Sequence, residues 1–301
     1  MTRRYDLGEL VFDMIAVNVH FSDPVPPGRS VLLAPRLLDA FGYAFVRLEV
    51  ENGEIEAEIG ASNAPQRGFL VRATHPPLRP VLRYWIERYD GPPPAWIWSP
   101  PDTRYMRASP ELAAFARELA SRTTGPAQTL RRIVDHASEV LWYGHGPGSV
   151  IGEADAVPLL TRPTRGHCLD MHGYCVAAAR AVGIEAAYCA GFWFARGTNS
   201  APGMHCWFAA RIDGEIVHYD VSHQLKIPRL PVVSGLDPVP GTRFLAACGK
   251  GLEFGLPGGT LSVDHFARFV WRTQDGRDHF PAHELRLDAV VPETSTSGPA
   301  C

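Results

Sequence analysis

The dipeptide Asp213-Gly214 lies between 205-HCWFAARI-212 and 215-EIVHYDVS-222, and no other feature constrains the chain as tightly. Both flanks alternate in strand fashion, and Asp-Gly suits a two-residue hairpin turn because both central positions need positive φ. With that turn Ile212 pairs with Glu215, Trp207 with Asp220 and His205 with Ser222. Side chains alternate along a strand, so His205, Trp207, Asp220 and Ser222 share one face. Asp220 is then the diagonal neighbour of His205, roughly 7–8 Å away and within side-chain reach.

Upstream, 164-TRGHCLDMHGYC-175 leads into a helix. Cys168, Met171, Cys175, Ala178 and Val182 recur at steps of three and four, forming one stripe that faces the core. Gly183 supplies the C-terminal stop. Cys168 therefore falls in the first turn, on the expected buried face. Unfilled N–H groups at a helix start carry partial positive charge and favour thiolate over thiol. The N–H of Cys168 can also point at an oxyanion. A carboxylate that accepts one imidazole N–H leaves the other ring nitrogen to face a nucleophile. Cys168 as nucleophile, His205 as base and acid, and Asp220 as orienter make a device for attacking a carbonyl.

The remaining cysteines carry less. Cys175 lies deeper on the helix stripe, Cys206 faces away from His205, and Cys189 sits in a strand of small residues, so all three read as packing. Cys248 and Cys301 carry no signal. The run His167, Cys168, His172 and Cys175 contains metal-ligand types, but on one helix these positions do not converge tetrahedrally. No metal and no cofactor is expected. Asp170, in the first turn, reads as a carboxylate placed to favour the helix dipole.

The rest of the chain sets the frame. Segments around 10–20, 43–60, FLVRAT and 81-VLRYWIERY read as strands, with Asn52-Gly53 as a hairpin turn. The proline-rich 91-GPPPAWIWSPPD reads as a linker. Ser109 and Pro110 open one helix, and 126-PAQTLRRIVDHASEVLWYG-144 forms a second. The expected domains are a β-rich N-terminal domain over 1–100, a catalytic core over 101–227, a β-rich extension of that core over 228–290, and a disordered tail over 291–301. A formal charge of −3 gives no reason to expect a nucleic-acid or membrane partner. Six cysteines without a secretory signal segment imply reduced thiols and a cytoplasmic location.

The segment GHCLDMHGYCVAAARAVGIEAAYCAGFWF, followed by MHCW and VHYDVS, resembles the transglutaminase-like superfamily. That family places a cysteine at a helix start, a histidine before an aromatic on a strand, and an aspartate at the end of the next strand. Its catalytic residues map onto Cys168, His205 and Asp220, and Asp170 matches many bacterial members. The resemblance covers about 105–225 and weakens on either side. It implies an α+β fold, a papain-like transglutaminase core with the cysteine helix packed on antiparallel sheet.

The implied activity is acyl transfer or hydrolysis on an amide, ester or thioester carbonyl through an acyl-thioester on Cys168. The implied partners are a small-molecule or peptide acyl donor and an amine or water acceptor. Trp193, Trp207, Tyr143 and His167 are the expected substrate-side residues. Phe192, Trp193 and Phe194, leading into the loop 195–204, form an expected apolar wall and flap. Two alternatives remain open: a non-catalytic binding module on the same fold, and an arylamine N-acetyltransferase-like enzyme.

Overall fold

Alternating apolar residues build the first part of the chain into sheet, and a computed structural model describes residues 14–26, 30–75, 79–99, 101–144, 150–152, 154–227, 232–236 and 239–290. The expected tail at 291–301, and Cys301 with it, lies outside the described residues. Strands β1 (Met14–Phe21), β2 (Ser30–Pro35), β3 (Gly42–Glu51), β4 (Gly53–Gly60), β5 (Arg67–Ala73) and β6 (Val81–Tyr89) come first. β1 pairs with β6 and β6 with β3, while β2 pairs with β5 and β5 with β4. Asn52 does adopt positive φ, 56°. Even so, β3 and β4 belong to different sheets, so the expected Asn52-Gly53 hairpin is a corner between sheets. A turn dipeptide fixes local backbone, and each flank then pairs where its apolar face is buried.

The helical region follows. Ser109 accepts from the Leu112 N–H at 3.2 Å and opens α1 (Pro110–Ser121), the cap that a serine before Pro110 predicts. α2 (Pro126–Val140) stops four residues short of the sequence expectation. Leu141 turns extended, and β7 (Leu141–Tyr143) pairs in parallel with β8 (Thr164–Gly166). Trp142 and Tyr143 are thus strand residues, and aromatic and bulky side chains at a helix end suit that switch.

α3 (Cys168–Arg180) is buried on every side, with each residue from Leu169 to Ala179 in the interior. The expected single stripe is too narrow a description. Helices α1 and α2 and a four-stranded sheet surround α3, and its glycine and alanines permit close approach. Gly183, at φ +79°, ends it as a left-handed residue should.

The core sheet is antiparallel, built from β9 (Glu185–Ala195), β11 (Met204–Ile212) and β12 (Glu215–Tyr219), with β10 (Ser200–Ala201) lying between β9 and β11 in sequence. Asp213 and Gly214 have φ 51° and 83°, and the pairs Ile212–Glu215 to Phe208–Tyr219 follow the register read from that turn. The ladder ends there. Asp220 caps α4 (Val221–Lys226), so the expected pairs Trp207–Asp220 and His205–Ser222 are not formed as strand partners. Asp220 leaves the sheet because its side chain accepts from the His223 N–H, which starts a helix rather than extending a strand.

The last strands are β13 (Gly241–Cys248), β14 (Leu252–Leu256), β15 (Gly259–Val263), β16 (Val270–Thr273), β17 (Asp278–His279) and β18 (His283–Val290). β13 pairs with β9 and completes the core sheet in the order β12-β11-β9-β13. β16 instead pairs with β2, and β18 pairs with both β1 and β10. The residues beyond 228 are therefore not simply an extension of the core. They also complete the two N-terminal sheets, so the boundaries expected near 100 and 228 cut through sheets that include strands from both ends of the chain. The result is an α+β architecture with a β-rich N-terminal region and a helix-on-sheet core.

Candidate active site

Alternation assigns the core sheet two faces. Cys206, Phe208, Tyr188 and Phe192 pack with α3, whereas Trp207, Ala209, Cys189 and Leu245 pack with Leu38, Ile97 and Trp98. His205 belongs to the second set by parity, at the start of β11. Directly opposite it on β9 is Gly191, where a Cβ would collide with the Phe244 carbonyl oxygen. That position has to be glycine for β13 to approach β9 beside the histidine.

His205 reaches Asp220 at 2.7 Å between Nε2 and Oδ2. The diagonal neighbourhood read from the hairpin survives, although Asp220 is a helix cap and not a strand residue. Asp220 is wholly buried and surrounded by donors. Oδ2 also accepts from Arg243 Nη2 at 2.7 Å and lies 3.0 Å from His223 Nδ1. Oδ1 accepts from Ser222 Oγ at 3.0 Å and from the His223 N–H at 3.1 Å. Burial alone would raise this carboxyl, but the charges and hydrogen bonds of His205 and His223 hold it well below the usual range.

The imidazoles of His205 and His223 stack in parallel, with centroids 4.0 Å apart and planes 11° apart. Burial would push His205 down, yet Asp220 and Cys168 together raise it. His223 goes the other way because its own burial outweighs Asp220. His172, buried beneath them, is pushed down to about 4 by desolvation. The imidazoles thus shift apart, His205 upward and His223 and His172 downward.

Cys168 is half-buried at the first position of α3. Its thiol is held well below the ordinary value, first by a hydrogen bond from Cys206, then against burial by a hydrogen bond and charge from His205. Asp220 occupies Nε2 of His205, which leaves Nδ1 as the other ring nitrogen. The Cys168 thiol and the His205 imidazole shift in opposite directions. Just before the helix, the His167 N–H donates to Asp170 Oδ2 at 3.1 Å and the Val150 N–H to Oδ1 at 2.9 Å. Asp170 therefore braces the helix start, beyond the dipole role expected of it, and it sits at about 2.

His205, Asp220 and His223 each offer one ligand atom, all within 4.8 Å of one another. A divalent cation would compete there with the Arg243 guanidinium, which already donates to the shared Oδ2. The stacked rings also aim their nitrogens at that same carboxylate rather than at a common open point. These residues suit a charge-neutralising cluster better than a metal centre.

The comparisons bear directly on this arrangement. Residues 113–221 match the model of the Transglutaminase-like superfamily, a span that contains Cys168, His205 and Asp220. That segment, 113–221, belongs to the transglutaminase-like superfamily. No curated protein matches. Among solved structures, a candidate cysteine protease from Cytophaga hutchinsonii is similar at 15% identity and a TM-score of 0.48, over 93% of this chain and 99% of that one. The periplasmic domain of TgpA from Pseudomonas aeruginosa, bound to ethylmercury, is similar at 16% identity and a TM-score of 0.36, over 73% of this chain and 93% of that one. Likeness at this level carries no argument about substrate. Superfamily membership is consistent with hydrolase or acyltransferase chemistry.

One expectation is withdrawn. The cytoplasmic location argued from cysteine usage does not stand, since TgpA contributes a periplasmic domain to the similar structures. The five described cysteines of this chain are free thiols, a state that by itself fixes no compartment. No helix among the described residues is long and apolar enough to cross a membrane.

The substrate-side residues expected of a transglutaminase-like site are scattered. Tyr143 is half-buried on β7, and its hydroxyl is pushed up to about 12 by desolvation and by the nearby charges of Cys168, Cys206 and Asp220. His167 caps the Cys168 helix, with Nδ1 3.0 Å from Asp170 Oδ2. Trp193 packs its ring 4.5 Å from that of His223 and 5.6 Å from that of His205. Trp207 is only 1% exposed, and the Arg243 guanidinium lies 6.0 Å from the centre of its ring. The expected apolar wall and flap is also corrected: Phe192 and Phe194 are core residues, and Ser200–Ala201 is tied to β18 as strand β10.

Sequence reasoning missed His223 and Arg243. His223 had a signal, because a side chain three residues after an N-cap aspartate returns to that carboxylate. Arg243 had none; it arrives from β13, as the cross-strand partner of Trp193.

Proposed function

We propose that the protein is a thiol-dependent acyltransferase or amidohydrolase in which Cys168, His205 and Asp220 act as one unit. What carries the reading is the opposed shift of the Cys168 thiol and the His205 imidazole, together with the 2.7 Å contact that ties His205 to a buried, ionised Asp220.

The Cys168 thiolate attacks the carbonyl carbon of an amide, ester or thioester, and the carbonyl electron pair moves onto oxygen. The Cys168 N–H, which a first-turn position leaves without an intrahelical acceptor, points at that oxyanion. His205 then gives the proton on its thiol-facing nitrogen to the leaving amine, alcohol or thiol as the bond to it breaks. An acyl-thioester on Cys168 remains. Water or an amine attacks that carbonyl next, His205 takes the proton it brings, and the C–S bond breaks to release the acid or amide and return Cys168 as thiolate. Asp220 stays ionised throughout and fixes the tautomer through Nε2. Tyr143 and His167 stand on the thiol side of the site and are proposed to meet the substrate. Trp193 acts through the imidazole stack.

Trapping tests this reading. The intact chain is incubated with a panel of thioester, ester and peptide-amide acyl donors and then weighed by mass spectrometry. The expected result is an acyl adduct on Cys168 that hydroxylamine removes and that Cys168→Ala does not form. A folded protein that acquires no adduct at Cys168 from any donor class would overturn the proposal, and leave the binding-module alternative in its place.

A further inference from the structure

Two imidazoles share one carboxylate, and the proposed chemistry uses only one of them. His205, at the start of β11, reaches Asp220 Oδ2 through Nε2 at 2.7 Å. His223 comes from α4, where its backbone N–H donates to Asp220 Oδ1 at 3.1 Å and its Nδ1 lies 3.0 Å from the same Oδ2. Its side chain is buried, and its ring lies flat on that of His205, centroids 4.0 Å apart and planes 11° apart. Trp193, on β9, sets its own ring 4.5 Å away from His223 at 60°. Backbone, ring nitrogen and an aromatic neighbour therefore all hold His223 in one place beside the base.

Charge counting decides the state in which it stands there. On the proposed mechanism Asp220 and the Cys168 thiolate are the anions, and Arg243 and His205 are the cations. A charged His223 would be a buried positive group with no anion of its own. Its Nδ1 also lies 3.4 Å from Arg243 Nη2, a group that only donates. Burial acts in the same direction, lowering His223 from its ordinary value. A neutral aromatic face attracts a cation laid against it, whereas a second cation at that separation would repel it.

We propose that His223 is a positioning residue for His205, a neutral plate that fixes the plane of the base and favours its charged form. The inference rests on Cys168 being the nucleophile and His205 its partner. It adds a residue that acts only through the base.

The titratable and charged groups around His223 come from four places. They are Asp220 before α4, Arg243 on β13, His205 on β11 and His172 on α3. His223→Leu and His223→Phe leave all four in place and both remove the ring nitrogens. The two variants differ in the aromatic face, so a difference between them reports the plate itself.

The test is the pH profile of iodoacetamide alkylation at Cys168, read by intact mass, in the wild type and in the two variants. His223→Leu should move the apparent pKa of alkylation up by about half a unit to one unit, roughly a three- to tenfold loss of thiolate on the acidic limb. His223→Phe should recover most of that loss. A Leu profile that coincides with the wild type, or Leu and Phe profiles that coincide with each other, overturns the inference and leaves the Cys168 proposal intact. A wild type alkylated only in the ordinary thiol range overturns the Cys168 proposal instead. If the variants do not fold, the ring-nitrogen NMR shifts of the wild type at pH 6 decide. A protonated His205 beside a neutral His223 is the expected result, and any other assignment overturns the inference.

Discussion

The two ends of the imidazole are built differently. On the carboxylate side, Asp220 is wholly buried and receives hydrogen bonds or ion pairs from His205, His223, Ser222 and Arg243. On the thiol side, Cys168 is half-buried at the start of α3, with its thiol held well below the ordinary value. The deep end is over-determined and the shallow end is open. A buried charge must be surrounded by partners or it unfolds the site, whereas a nucleophile has to keep a free approach. On the proposed mechanism, the same ring joins a part of the molecule that serves stability to a part that serves reaction.

Substitutions at the two ends sharpen that contrast. Asp220→Ala should cost about 3–5 kcal/mol, because it strands Arg243 and two imidazoles in the interior, and it should abolish turnover as well. Cys168→Ala should also abolish turnover while costing less than about 1 kcal/mol in denaturant unfolding. Equal stability losses at the two positions would break the comparison. Arg243→Met comes next, with an expected loss of about 2–3 kcal/mol and an Asp220 that protonates more readily.

Asp170 gives a smaller effect with a definite sign. Its carboxyl sits at about 2 in the folded chain, below its unfolded value near 4, so its contribution is fully present above pH 4 and is lost as pH falls toward 2. Asp170→Asn should lower stability by about 2 kcal/mol at pH 7 and flatten the acid limb of the stability curve. Chemical denaturation at pH 7 and pH 3 checks both statements. Smallest of all, Trp142→Ala should change stability by no more than about 0.5 kcal/mol, since that ring is 52% exposed. A larger loss would show that the thiol side is more tightly built than the contrast allows.

Much of this was legible locally. Asp213-Gly214 sets a register that β11 and β12 follow from Ile212–Glu215 to Phe208–Tyr219, because turn chemistry and strand alternation point the same way. Asn52-Gly53 misleads for the complementary reason: the turn forms, but burial sends β3 and β4 to different partners. The Cys168 helix is legible from its spacing and from Gly183, although its burial on all sides depends on neighbours far away in sequence. Arg243 and Lys250 illustrate the limit. Each reaches the site from strands or loops beyond residue 240, and no pattern within their own segments shows which buried group they will meet. The span beyond 228 shows the same limit, since the pairing of β18 with β1 joins the two ends of the chain.

The central claim is that His205, fixed by Asp220, keeps Cys168 ionised. The rate of Cys168 alkylation at pH 5 in the wild type and in His205→Ala measures this most directly. The account predicts fast, selective labelling of Cys168 in the wild type and a loss of about tenfold or more in the variant. Equal rates in the two proteins, or wild-type labelling that begins only near the ordinary thiol pKa of about 8.5, would contradict it.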